Sequence, residues 1–264
     1  MSRRPAVRLA HLAAPIVLVG LAGCSVPSFG MPDPITEQGG VVERLYSPVV
    51  ATALVVGAVV WGLTFWSVVR YRRRNDTLPT QVAEHIPIEI VYTVVPIIIV
   101  VILFIVGSAA LTDIEEKTED PDVTVAVQGF QWSWQFTYDN EDVVVSGDGA
   151  GTQGPELVLP VDRTVRLELV TEDVNHSFWV PRFLSKRDLI PGVDNEVDVT
   201  PTEEGTYVGR CAEFCGLDHW RMKFSVRIVS AEEFDRWVAD NAGDDQAASP
   251  ADEAPGDEGE AGGG

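Results

Sequence analysis

Apolar positions along the chain follow two regimes: long uninterrupted runs in the first 111 residues and short alternating runs thereafter. The first run, Leu12–Leu21, follows Arg3, Arg4 and Arg8 and is too short to span a bilayer. It closes on Leu21-Ala22-Gly23. A basic start, a short apolar stretch and small residues at its end predict a secretory signal over 1–23, followed by an extracytoplasmic segment over 24–47. Pro48–Val69 then runs for twenty-two residues without a charge, about 33 Å as a helix and enough to cross the hydrocarbon layer. Ile88–Leu111 is a second such run, with one ionisable residue, Glu89, near its start. Between them the loop 70–87 carries Arg70-Tyr71-Arg72-Arg73-Arg74, so the excess of positive charge places it in the cytoplasm. Everything after Leu111 is then outside, as the secretory signal independently requires.

Beyond an acidic connector, Thr112–Asp122, the pattern turns to short β-rich segments. These are Val123–Gln128, Trp132–Tyr138, Glu156–Leu159, Thr164–Val170, Glu196–Val199, Thr206–Gly209 and Lys223–Val229. Val123/Val125/Val127 and Val165/Leu167/Leu169 alternate with polar residues, the period of half-buried strands. Such strands with no helical pattern between them predict a β-sandwich or small barrel over 112–229. Ser230-Ala231-Glu232-Glu233 opens a capping box and predicts a short helix over 230–240. The glycine-rich 147–154 reads as a hairpin loop, because no Lys-Ser/Thr pair or helix follows to make it a phosphate cradle. Residues 241–264 hold no aromatic residue and many acids, a composition expected of a disordered tail.

Charge sharpens this division. Residues 1–111 carry eight basic and six acidic groups, whereas 112–264 carry eleven and thirty-four. The acidic half repels phosphate backbones, which excludes nucleic-acid binding, and attracts a basic partner. Three cysteines are too few for a disulfide framework. Cys24, directly after the small residues that end the signal, matches the position lipidated in bacterial lipoproteins and would attach the mature N-terminus to membrane lipid. A plain signal peptide with an incidental cysteine is the alternative.

The chemistry concentrates in Cys211-Ala212-Glu213-Phe214-Cys215-Gly216-Leu217-Asp218-His219-Trp220-Arg221-Met222. Two thiols, an imidazole and a thioether within twelve residues form a soft donor set that suits copper. Structural zinc would take four Cys/His donors, and zinc seldom uses Met. His11 lies in the signal and His85 in the cytoplasmic loop, so the second imidazole is His176, in Asp173-Val174-Asn175-His176. One mononuclear blue-copper site needs only one Cys. The additional thiolate would allow both to bridge two copper ions, with one His on each. A disulfide between Cys211 and Cys215 is the competing reading.

The copper loop, the upstream D-V-N-H-S-F-W-V-P and Gly129-Phe130-Gln131-Trp132-Ser133-Trp134-Gln135-Phe136 together resemble subunit II of haem–copper cytochrome c oxidases, over about residues 40–229 and behind a two-helix membrane hairpin. The resemblance implies a cupredoxin-like domain holding the binuclear CuA centre. By position it implies Cys211 and Cys215 as bridging thiolates and His176 and His219 as terminal imidazoles. It further implies Met222 and the Glu213 backbone carbonyl as weak axial ligands. The Glu213 side chain would bind a magnesium ion shared with subunit I, Trp132 would receive electrons from cytochrome c, and Glu89 would stand at the mouth of a proton path into subunit I. No Cys-x-x-Cys-His is present, so the donor is a separate protein and the haems belong to subunit I.

A membrane-anchored copper-delivery protein of thioredoxin type is the alternative from another class. It requires helices alternating with strands and a His downstream of the cysteine pair. The subunit II of a quinol oxidase would lack the copper ligands, nitrous-oxide reductase would lack the hairpin, and a lipoprotein stapled by one disulfide would need no metal.

Overall fold

The computed structural model describes residues 28–78, 80–138, 143–147 and 154–242. The signal sequence, Cys24, most of the glycine-rich loop and tail residues 243–264 lie outside the described residues.

Two long helices open the structure: α1 (Glu37–Arg70) and α2 (Ile86–Glu115), which pack on each other as a hairpin. Both are long and apolar enough to cross a membrane. Their large side chains, among them Leu54, Phe65, Ile97 and Phe104, are exposed over nearly the whole surface, which marks a face covered by membrane lipid or by other membrane helices. Helix α1 begins eleven residues ahead of the expected Pro48. The reason is a cap: Thr36 Oγ1 accepts from the Gly39 N–H at 3.0 Å. Glu37 also suits the positive end of the helix dipole. The extra turns need no apolar surface because they stand beside the β domain. There the Ile35 N–H donates to Arg182 O, the Glu37 N–H to Thr200 O and the Thr202 N–H to Ile35 O. Pro48 lies inside the helix, with no break. Helix α2 opens with Pro at its first turn, where the missing N–H has no partner to lose, and runs four residues beyond Leu111.

Among the described residues ten strands follow: β1 (Val123–Phe130), β2 (Ser133–Tyr138), β3 (Val143–Ser146), β4 (Glu156–Pro160), β5 (Val165–Val170), β6 (His176–Val180), β7 (Ser185–Leu189), β8 (Asn195–Val199), β9 (Gly205–Cys211) and β10 (Lys223–Val229). They form two five-stranded sheets in the orders β3-β2-β1-β5-β8 and β4-β10-β9-β6-β7. Strands β1 and β5, and β4 and β10, pair in parallel, and the other pairs are antiparallel. The expected alternation is present, with Val123, Val125, Val127 and Gly129 turned inward from β1. Trp134, Phe136, Leu157, Leu167, Phe224 and Val226 fill the space between the sheets. Buried Tyr138 bridges them: its hydroxyl donates to Val158 O and accepts from the Val158 N–H, both at 2.9 Å. Burial holds that phenol well above its ordinary pKa.

This is the β-sandwich the strand pattern predicts and the cupredoxin-like domain the resemblance implies. Helices do not alternate with its strands among the described residues, which removes the thioredoxin-type alternative. Helix α3 (Ala231–Asn241) closes the domain; Ser230 Oγ accepts from the Glu233 N–H at 3.2 Å, and Phe234 and Val238 pack inward. Strands β3, β6 and β7 were not expected from the sequence.

Candidate metal centre

The loop between β9 and β10 is fixed at both ends. Cys211 is the last residue of β9, Met222 directly precedes β10, and the Cys211 N–H donates to Met222 O at 3.0 Å. Inside the loop Gly216 takes φ +125°, a backbone conformation that L side chains rarely adopt, and a 3₁₀ turn over His219–Arg221 brings the imidazole back toward the thiols. Strand β6 pairs with β9, and the Ala212 N–H donates to Ser177 O at 3.0 Å. That register sets His176, at the start of β6, beside Cys211. Gly129 makes the room: a Cβ there would approach the His176 ring to 3.3 Å and Leu189 to 3.1 Å.

The donor atoms converge. Cys211 Sγ and Cys215 Sγ are 3.9 Å apart and unbonded, far beyond the ~2.05 Å of a disulfide. His176 Nδ1 lies 3.8 Å from Cys211 Sγ and His219 Nδ1 lies 3.5 Å from Cys215 Sγ. Met222 Sδ stands 3.7 Å from Cys215 Sγ, and the Glu213 carbonyl oxygen 3.2 Å from Cys211 Sγ. His176, both cysteines and Met222 are buried, His219 is half-buried, and the Glu213 side chain is exposed.

Electrostatics make this a cation site. Burial opposes ionisation of Cys211, but hydrogen bonds from His176 and the backbone outweigh it and lower the thiol's pKa. Burial first, and then the adjacent Cys211, push Cys215 up to about 12. Burial also opposes charge on His176, yet Cys211 and Asp173 lift its pKa above the ordinary value. Two buried sulfurs this close cannot both become thiolates without a positive charge between them. Soft sulfur with imidazole fits copper, and the unbridged pair disposes of the disulfide reading.

Asp173 went unassigned in the sequence. Burial would raise its pKa, but four hydrogen bonds hold it at about 2. Oδ1 accepts from the Val174 N–H, from Thr171 and from His176 Nε2 at 2.9 Å, and Oδ2 accepts from the Gln131 N–H at 2.7 Å. The bond to Nε2 turns Nδ1 toward the sulfurs. The only signal was an acid three residues before His176, and spacing alone does not say which ring nitrogen it meets.

Trp132 is brought to the site: its Nε1 donates to Cys215 O at 3.2 Å, beside Gln131 Nε2 at 2.7 Å. Glu89 is not. It lies in the first turn of α2, where its carboxylate accepts the His85 N–H at 2.8 Å. By helix rise it is about 39 Å from the end of α2 at the β domain. Outward from the loop, Phe214, Leu217 and Trp220 are each at least 70% exposed, an apolar face on an acidic domain.

The family model described as cytochrome c oxidase subunit II, transmembrane domain, matches residues 26–109, and that for the periplasmic domain matches 152–229. A protein of Streptomyces coelicolor named "Probable cytochrome c oxidase subunit 2" is 38% identical over 91% of this chain and 89% of its own. The cytochrome c oxidase subunit 2 of Mycobacterium tuberculosis is 32% identical over 89% of this chain and 82% of its own. The crystal structure of the periplasmic domain of subunit II of cytochrome oxidase from Bradyrhizobium japonicum aligns at 32% identity and TM-score 0.43, covering 47% of this chain and 96% of that one. The chain belongs to the cytochrome c oxidase subunit II family.

Proposed function

We propose that this chain is the subunit through which electrons enter a cytochrome c oxidase, and that it accepts them from cytochrome c at a binuclear copper centre of the CuA type. The observation that carries the reading is the unbridged pair Cys211 and Cys215, with His176, His219, Met222 and the Glu213 carbonyl converging on them. Bound copper would supply one-electron redox chemistry at this point.

The chain's own residues do the rest. Cys211 and Cys215 would hold the copper through their thiolates and His176 and His219 through their imidazoles, with Met222 and the Glu213 carbonyl as weaker donors. Adjoining β-strands hold these donors in place before an electron arrives, so little rearrangement accompanies transfer. Burial of the thiols, His176 and Met222 excludes water. The Trp132 indole, half-buried and bonded to Cys215, gives the donor an aromatic contact joined to a ligand residue. An excess of acidic groups after residue 111 draws in a basic cytochrome c and accelerates encounter more than it tightens binding. Phe214, Leu217 and Trp220 offer the apolar part of a partner face, and the exposed Glu213 carboxylate suits a magnesium ion shared with subunit I.

In this reading the protein is anchored in a bacterial cell membrane, with the Arg70–Arg74 turn cytoplasmic and the β domain outside. Glu89 then stands at the cytoplasmic mouth of a proton path into the haem-bearing subunit I, where oxygen reduction is coupled to proton translocation. Cleavage before Cys24 and its lipidation add a further anchor.

The test is to load the full chain with copper and count metal and unpaired spin. Two copper ions per chain sharing one unpaired electron are expected, together with loss of that signal in Cys215→Ser. One copper per chain, or an unchanged spectrum in Cys215→Ser, overturns the assignment.

A further inference from the structure

We infer that the turn at the end of α1 is a binding site for the phosphate headgroup of an anionic phospholipid, with Arg72 and Arg74 as its ligands. The inference rests on α1 crossing the membrane and is independent of the metal reading.

The uncharged run of α1 ends at Val69, so Arg70 and the residues after it emerge at headgroup depth. Two aromatic residues mark that depth: Trp66 meets Tyr71 edge-on, with centroids 5.3 Å apart. The helix stops there, with the Tyr71 N–H donating to Ser67 O, and residues 72–74 continue without regular structure.

The arginines are not equivalent. The Arg70 guanidinium stacks over the Tyr71 ring at 5.6 Å, and Arg73 pairs with Asp76. Asn75 and Thr77 hydrogen-bond to each other across the turn. Arg72 and Arg74 are exposed and make no ion pair among the described residues. Residues 70–78 line an open surface concavity of about 630 Å³, rimmed by Leu78, whose exposed side chain suits an acyl chain. A topology signal alone requires positive charge but no concavity. A phosphate accepts bidentate hydrogen bonds from guanidinium, and two unneutralised guanidiniums two positions apart offer it a chelating pair. Anionic lipid, concentrated in the leaflet at this depth, is the source of such phosphates that the surroundings supply.

The intact oxidase, purified with the wild-type chain or with Arg72→Gln/Arg74→Gln, is titrated in detergent with phosphatidylglycerol, phosphatidylcholine or water-soluble glycerol 3-phosphate. Native mass spectrometry reads the lipid retained on this chain. Wild type is expected to retain phosphatidylglycerol over phosphatidylcholine, with no displacement by glycerol 3-phosphate. The double glutamine variant should retain it on the order of tenfold or more weakly, following the usual gain per basic residue near a charged surface. Arg72→Lys/Arg74→Lys should recover part of the retention, and Arg44→Gln, at the other end of α1, should match wild type. Equal retention by the double glutamine variant, or equal retention of the two lipids, overturns the proposal. Displacement by glycerol 3-phosphate at matched concentration also overturns it, by marking a site for free phosphate. Copper content and spectrum stay unchanged in all variants, which separates failure here from failure of the metal reading.

Discussion

Trp132 Nε1 and the backbone carbonyl of Cys215 are joined by a hydrogen bond of 3.2 Å, so an indole at the protein surface is one bond from a thiol-bearing residue of the buried cluster. Gly216 makes the approach possible: a Cβ there would come within 3.1 Å of the indole nitrogen. Gln131 Nε2 satisfies the same carbonyl independently at 2.7 Å.

Trp132→Phe therefore removes the contact proposed to conduct electrons without stranding a buried acceptor. Copper content should be unchanged and stability should move by only about 1 kcal/mol, the worth of one hydrogen bond. The rate of reduction by cytochrome c in stopped flow should fall steeply. A variant reduced as fast as wild type would remove Trp132 from the path.

Asp173 should act through His176. With Asp173→Ala the imidazole keeps its place but loses the bond that orients it, and the Gln131 N–H loses its acceptor. Loss of such an outer partner typically lowers metal affinity ~10–100-fold. Competition with a copper chelator should show that loss in the alanine variant and a smaller one in Asp173→Asn, whose amide oxygen still accepts a hydrogen bond.

The cysteine loop was legible because its donors fall within twelve residues and are chemically distinctive, and His176 because the other upstream imidazoles were spoken for. The strands around them were not. All of His176, Ser177 and Phe178 in β6 are buried, so no alternation marks it. Strand β7, Ser-Lys-Arg-Asp-Leu, lies at a sheet edge where charged residues are tolerated, and its sequence reads as a loop. The start of α1 was missed for a related reason: Glu37, Glu43 and Arg44 stand outside the lipid, and hydropathy locates the lipid crossing and not the helix.

Gly209 should be intolerant of any side chain. It faces Phe224 across the β9–β10 pair, and a Cβ would lie 2.0 Å from that ring. The ring cannot retreat, since it stacks on Phe178 at 4.8 Å and meets Trp134 edge-on at 5.2 Å. Overpacking of this kind destabilises by about 1–3 kcal/mol or more. Cys211 and Met222 each lie two residues from this pair, so Gly209→Ala should lower both Tm and copper occupancy. A normal Tm would show that the sheets separate more easily than their packing implies.

Arg166 and Asp198 tie the membrane helices to the β domain. The guanidinium meets the carboxylate at 2.8 and 2.9 Å, and the pair also holds the connector after α2 through Thr118 O at 2.6 Å and the Thr118 N–H at 2.8 Å. The Asp198 side chain is 2% exposed and that of Arg166 16%. Asp198→Ala would strand much of the guanidinium's charge, leaving it only the longer pair with Glu196 at 3.8 Å, for a loss of about 1.5–3 kcal/mol. Replacing both partners by apolar residues of similar volume removes the stranded charge, so Arg166→Met/Asp198→Leu should recover much of that loss. Thermal unfolding of the full chain, with copper content as a second readout, separates the cases. If the double variant is as unstable as Asp198→Ala, the pair's importance lies in the Thr118 contacts that fix the connector, and not in mutual neutralisation.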